Sequence, residues 1–176
     1  MPSPDLLRDL LVRARSARST ADVADVLRDV AEYAATATTM SFAVIDLHRP
    51  QWNDFETVAV YGSEELVTAL LGTTTQWAFW APKLAPEYAR GSVQHVGPGG
   101  QPGVEVEGPW QASEVLFSPL RRPTGELAGI LRIGSPIGGG RATDAPLDIL
   151  ARCAEFAVTG IETVAVARPP AGSRGG

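Results

Sequence analysis

Arg132 is the side chain whose surroundings demand chemistry. In ELAGILRIG (126–134), strand alternation sets Leu127, Gly129, Leu131 and Ile133 on one face and Ala128, Ile130 and Arg132 on the other. A guanidinium among small and apolar neighbours is costly to bury alone, so it requires an acid or a ligand. Glu114 and Glu126 are the acids expected to meet it, unless the side chain reaches water at the strand end. Two further cations, Lys83 and Arg90, lie in or beside the stretch TTQWAFWAPKLAPEY (74–88). That stretch gathers Trp77, Phe79, Trp80 and Tyr88 in a chain with only 7% aromatics. Pro82 and Pro86 argue against a long helix or a central strand there, so the segment reads as a cover rather than a core.

The remaining reactive groups form no recognisable catalytic set. Cys153 is the single cysteine, so thiol–disulfide turnover within the chain has no resolving partner. Its place in a helix beside Leu150 and Ala157 fits a small buried apolar residue. His48 and His95 have no histidine or cysteine at ligand spacing, and no metal site is expected. No Gly-x-Ser-x-Gly elbow is present, and the glycines at 138–140 lack the Gly-Lys-Ser/Thr ending of a phosphate loop. No catalytic residues are assigned, and the protein is expected not to be an enzyme.

The totals bound the class. The 176 residues suffice for one domain with a sizeable core, with 44% hydrophobic and 20% charged residues. A net charge of −5 argues against a nucleic-acid surface, and Arg8, Arg13, Arg15 and Arg18 read as a solvated helix face interrupted by Asp9. No apolar run approaches the roughly 20 residues of a membrane span, and the N-terminus lacks a signal-peptide pattern. With one cysteine fitting a reducing compartment, the expected location is the cytoplasm, with no membrane and no nucleic acid as partners.

The elements that must position these residues follow from periodicity. Residues 4–17 carry Leu6, Leu7, Leu10 and Leu11 at helical spacing. Ser19 and Asp22 form a capping box for a second helix to about Thr36, burying Val23, Val26, Leu27, Val30 and Tyr33. Residues 40–48 and 55–62 then read as strands of a hairpin around the loop RPQWND. SEELVTALL (63–71) opens as a helix, and 92–96 is a short strand. Residues 97–109, with five glycines and three prolines, make a mobile loop. A second hairpin turns at Gly125, and a last helix starts at Thr143 or Asp144 with Pro146 in its first turn and runs to about Ala167. The fold class is α+β, an antiparallel central sheet flanked by helices. Along the last helix, Leu147, Leu150, Cys153, Ala154, Phe156, Ala157, Ile161, Val164 and Ala165 exceed one stripe, and the small residues Ala154, Ala157 and Gly160 invite a second helix.

Four segments together resemble a GAF domain: FAVIDLHRP with FETVAVYGSEE, WAFWAPKLAPEYARGS, EVLFSPLRRPTGELAGILRIGSP, and RATDAPLDILARCAEFAVTGIE. The tryptophan-rich middle is similar to GAF domains of actinobacterial proteins that also carry cyclic-di-GMP synthesis or degradation domains. The resemblance spans 19–168 as a sensor domain, preceded by the helix expected from periodicity (1–18) and followed by a low-complexity tail expected to be disordered (169–176). It implies a GAF/PAS-like sheet with terminal helices packed together. It makes the aromatic segment a lid over a small-molecule site, with Trp77, Trp80, Tyr88, Arg90, His95 and Arg132 as ligand-binding residues. The ligand is unidentified and the cofactor unknown, with a haem on His95 as one alternative. Positions 93, 94 and 134 depart from relatives in ways that would reshape such a pocket. The same family pattern implies a homodimer through the first and last helices and a signalling output protein. No GGDEF or EAL motif follows Arg168, so the chain is expected to be a stand-alone sensor or an excised piece. The alternative is a ligandless GAF domain serving dimerisation or protein interaction.

Overall fold

The computed structural model describes residues 4–71, 76–85, 89–90, 93–97, 101, 108–140 and 144–167. Two helices come first, α1 (Pro4–Ser16) and α2 (Thr20–Ala37), followed by β1 (Met40–Arg49). A 3-10 turn, Pro50–Trp52, leads into β2 (Asp54–Tyr61) and α3 (Glu64–Leu71). The cover segment holds α4 (Trp77–Trp80) and a second 3-10 turn, Ala81–Leu84. The chain continues through β3 (Ala89–Arg90), β4 (Val93–Val96), β5 (Val115–Arg121) and β6 (Leu127–Pro136) to α5 (Asp144–Ala167). The strands form one six-stranded sheet in the order β2-β1-β6-β5-β4-β3, antiparallel at every pairing. The α+β expectation holds.

Local signals set the element ends. Ser19 Oγ accepts from the Asp22 N–H at 3.1 Å, and the Asp22 carboxylate accepts from the backbone N–H groups of Ser19 and Arg18. This reciprocal capping satisfies donors that the helix start leaves open. The bonds from Arg18, then from Ser19, hold the Asp22 carboxyl below its usual pKa. The β1–β2 tip closes through Asn53 at φ 52°, while Arg49 clasps Asp54 with two bonds of 2.8 and 2.7 Å. Gly125, at φ +88°, makes the β5–β6 turn that its position predicts.

The sheet divides two cores. On one face Ala43, Ile45, Leu116, Leu120, Leu131 and Ile133 pack with α2 and α5. On the other face Phe42, Val44, Phe55, Val96, Val115, Phe117 and Ile130 pack with Trp80 and Leu84 of the cover segment. Alternation along β6 is interrupted near its start. The pairing shifts between Leu120 and Arg121, so Leu127 joins the cover side and Ala128 the helix side, the reverse of the plain period-two reading.

The small face of α5 is met by the chain's own helices. A Cβ on Gly160 would stand 3.2 Å from Val26 Cγ1 and 3.9 Å from Ala14 Cβ, so the missing side chain lets α1 and α2 approach. Ala154 and Ala157 are buried in the same cluster as Leu10 and Ala14. The small residues that suggested a second helix thus meet α1 and α2 of the same chain, while Phe156, Ile161 and Val164 are only partly buried. Leu6 and Val12 of α1 remain exposed.

Candidate functional site

Strand pairing brings the polar residues of the cover face together. Arg132 on β6 stands opposite Val44 of β1, and Asp46 opposite Ile130, so Arg132 and Asp46 are diagonal neighbours on one face. Arg132 Nε lies 2.8 Å from Asp46 Oδ2. The two opposite charges at this distance form an ion pair. The second carboxylate oxygen accepts from Thr57 Oγ1 at 2.6 Å. Arg132 is 3% exposed and Asp46 1%. Burial pushes the Arg132 pKa down, and the Asp46 charge opposes that shift. The acid that Arg132 required is therefore Asp46, neither Glu114 nor Glu126. Those two acids pair with His95 and Arg122 respectively.

Trp80 caps this pair. Its ring centroid is 5.6 Å from the Arg132 guanidinium carbon, within cation–π range. It meets Phe117 edge-on at 5.0 Å and Phe79 at 5.1 Å, and is 1% exposed. Trp77 takes a second station, stacked on His48 at 4.7 Å and beside Phe55 at 5.9 Å. Its backbone N–H donates to Asn53 O at 3.1 Å, and Gln76 bridges Asp54. These bonds tie the start of the cover segment to the β1–β2 tip. Lys83 is buried on the 3-10 turn, its Nζ donating to Phe79 O and standing 3.5 Å from that ring's centroid. Burial holds its pKa below the usual lysine value. Gln94 of β4, opposite Phe117, points at the same segment, its Nε2 donating to Ala85 O at 3.3 Å.

Comparison of this structure with solved ones yields matches across almost the whole chain. The phycocyanobilin-bound GAF domain of a cyanobacterial phytochrome superposes with a TM-score of 0.67 at 14% identity, over 94% of this chain and 97% of that one. The GAF domain of an Acinetobacter phosphoenolpyruvate-protein phosphotransferase gives 0.61 at 16% identity, over 92% and 94%. A methyl-accepting chemotaxis protein fragment gives 0.59 at 14% identity, over 90% and 98%. The fold is that of GAF domains. No protein-family model and no curated protein sequence matches the chain.

On this GAF fold the residues expected to bind ligand separate into groups. Trp80 of the cover segment meets Arg132 of the sheet, and Trp77 lies where that segment bonds to the β1–β2 tip. His95 does not join them. The β4–β5 register sets it opposite Leu116, on the helix face, whereas Gln94 and Val96 take the lid face. Its Nε2 lies 2.9 Å from Oε2 of Glu114, a fully buried carboxylate whose Oε1 accepts from the Gln111 N–H. That geometry does not fit a haem under the lid on His95. Tyr88 lies outside the described residues. Arg90 sits on β3 opposite Val93, and its side chain is likewise outside the described set. Among the described residues, no three His, Cys, Asp or Glu side chains gather as a metal site. None of the described helices is long and apolar enough to cross a membrane.

Packing bears on two further positions. A Cβ on Gly134 would come within 2.6 Å of Phe42 Cζ, so the ring of Phe42 fills the space that an open pocket there would need. Cys153 is fully buried, and burial pushes its thiol up to about 12. A neutral thiol is a poor nucleophile, so the native protein is expected to resist a disulfide reagent at pH 8. Full reaction should follow denaturation, and fast native reaction would show that α5 opens. Since the folded value exceeds the thiol's ordinary value of 9.0, this group's stabilising contribution is complete below pH 9. It declines as pH rises from there toward 12, where only the unfolded chain ionises readily.

Sequence reasoning did not single out Asp46, and it named position 94 only as a departure from relatives. Asp46 stands within FAVIDLHRP, at an even position with Phe42, Val44 and His48, and that alternation was the available signal.

Proposed function

We propose that this chain is a non-enzymatic, cytoplasmic sensor domain that binds a small molecule between the sheet and the lid. The observation that carries the reading is the Arg132–Asp46 pair, buried on the lid face of two central strands and roofed by Trp80. An ion pair is set into the apolar packing of that face, and a ligand carboxylate or phosphate can compete with Asp46 for the guanidinium. The lid is tied to the β1–β2 tip through Trp77 and Gln76 and to β4 through Ala85 and Gln94. The GAF fold is shared with domains of phytochromes, a phosphotransferase and a chemotaxis protein, which supports a role in signal transduction.

The relay proposed is a homodimer through α1 and α5. Leu6 and Val12, exposed on α1, supply its apolar surface, since the small face of α5 is used within the chain. A change in lid position would bias that packing, a coupling between two sites. The output partner suggested by the sequence resemblance is a cyclic-di-GMP synthesis or degradation domain of an actinobacterial protein.

A second reading has its own observation. Trp80, almost fully buried against Phe117, fills the lid face as a plug would. On that reading the domain is a ligandless dimerisation or protein-interaction module. Native mass spectrometry of gently purified protein separates the two. A bound mass that disappears on denaturation is the expected result for a sensor, and a bare dimer supports the interaction module. A bare monomer at micromolar concentration removes the relay.

A further inference from the structure

We propose that Lys83 and Gln94 form the polar wall of a subsite under the lid that takes a small organic anion carrying an N–H or O–H donor. This deepens the sensor reading and rests on it. Lys83 is 6% exposed, yet its ammonium is met by a single carbonyl, Phe79 O, and by the face of the Phe79 ring. Among the described residues no carboxylate pairs with it. A buried cation in that state is strongly disfavoured, and an anion is the partner that relieves it. Its lowered pKa agrees with that environment.

Gln94 presents the complementary deficit. It is 4% exposed, and with Nε2 spent on Ala85 O, its Oε1 is buried without a donor. A buried acceptor left open calls for an explanation, and a ligand N–H or O–H supplies one. The two groups belong to one place. Gln94 holds the backbone two residues beyond Lys83, and register sets it in one row with Phe117 and Arg132 across β4, β5 and β6. A cation lacking an anion and an acceptor lacking a donor, both set against residues 79–85, call for a ligand with a carboxylate or phosphate and a hydrogen-bond donor.

The test uses the full chain and calorimetric titration at low ionic strength, where charge pairing is least screened. The probes are malate, adenosine monophosphate and inorganic phosphate, with adenosine as the neutral control. At least one organic anion is expected to bind saturably, and Lys83→Met is expected to weaken it by about tenfold or more. Lys83→Arg should stay within about threefold of the parent because it keeps the charge. Gln94→Leu should weaken the organic anion while leaving inorganic phosphate unchanged. Unliganded Lys83→Met should melt at or above the parent temperature, since it removes a buried charge. Equal binding by Lys83→Met, no binding of any anion, or a marked fall in its melting temperature each overturns the subsite. A co-purifying mass that no probe displaces ends the subsite and leaves the sensor reading intact. No co-purifying mass and no probe binding end both.

Discussion

Replacing Arg132 with methionine is expected to destabilise the domain by about 3–5 kcal/mol, because Asp46 then stays buried without its cation. For a chain of this size that corresponds to a fall in melting temperature of about 6–20 °C. Thr57 would still donate to one carboxylate oxygen, but a neutral hydroxyl does not replace a guanidinium. The double change Arg132→Met with Asp46→Leu should recover most of the loss, since an apolar pair of similar volume suits this face, which Val44, Phe117 and Ile130 already line. Urea unfolding of the two single variants and the double variant gives the coupling directly. A loss below about 1 kcal/mol for the single change would mean that water reaches the pair, as at an exposed salt bridge. The pair would then lose its standing as the centre of the site.

Trp80→Ala is the second large effect, expected at about 3–5 kcal/mol in the unliganded protein. Trp80 fills the space between Phe79, Phe117 and Arg132 at 1% exposure, and α4 is too short to collapse into the void. The indole also shields the ion pair, so its loss admits water to Arg132. Equilibrium urea unfolding measures the cost. If the lid opens readily before global unfolding, the loss falls to about 1 kcal/mol or less, because local opening already exposes the indole. That smaller value would identify a lid poised to admit a ligand, and the full value a lid that seals the sheet. Trp77→Ala should cost less in either case, since Trp77 is only half-buried, stacked on His48 and Phe55 at the margin of the cluster.

The two variants probe opposite components of one arrangement. Arg132 and Asp46 give the lid face a buried charge pair in which each offsets the other's charge, and Trp80 keeps that pair dry. A ligand anion entering beside Trp80 would meet a guanidinium already held in place by Asp46, which is preorganisation of the kind that lowers the cost of binding.

Local physics made most of the elements legible in the chain. Apolar spacing and the Ser19–Asp22 box define α2, and both ends of the box bond as the pattern requires. The β-branched runs mark β1, β2, β5 and β6, and Gly125 marks their second hairpin, because each signal acts over a few residues. The same locality told that Arg132 lies on a strand among apolar neighbours and needs a counter-charge. It did not tell which one. Asp46 meets Arg132 through the β1–β6 register, a pairing between segments at opposite ends of the domain that no local pattern encodes. Register also decided the face of His95, since a shift of one position on β4 would exchange it with Gln94. The short α4 was hidden inside the segment read as cover, where tertiary contacts rather than propensity stabilise a single turn, and the two-residue β3 just after it is too short to show a period. The small face of α5 shows the same division. Its composition required a close helix neighbour, but only the folded chain supplied α1 and α2 as that neighbour, because burial depends on what reaches a surface in space and not on the surface alone.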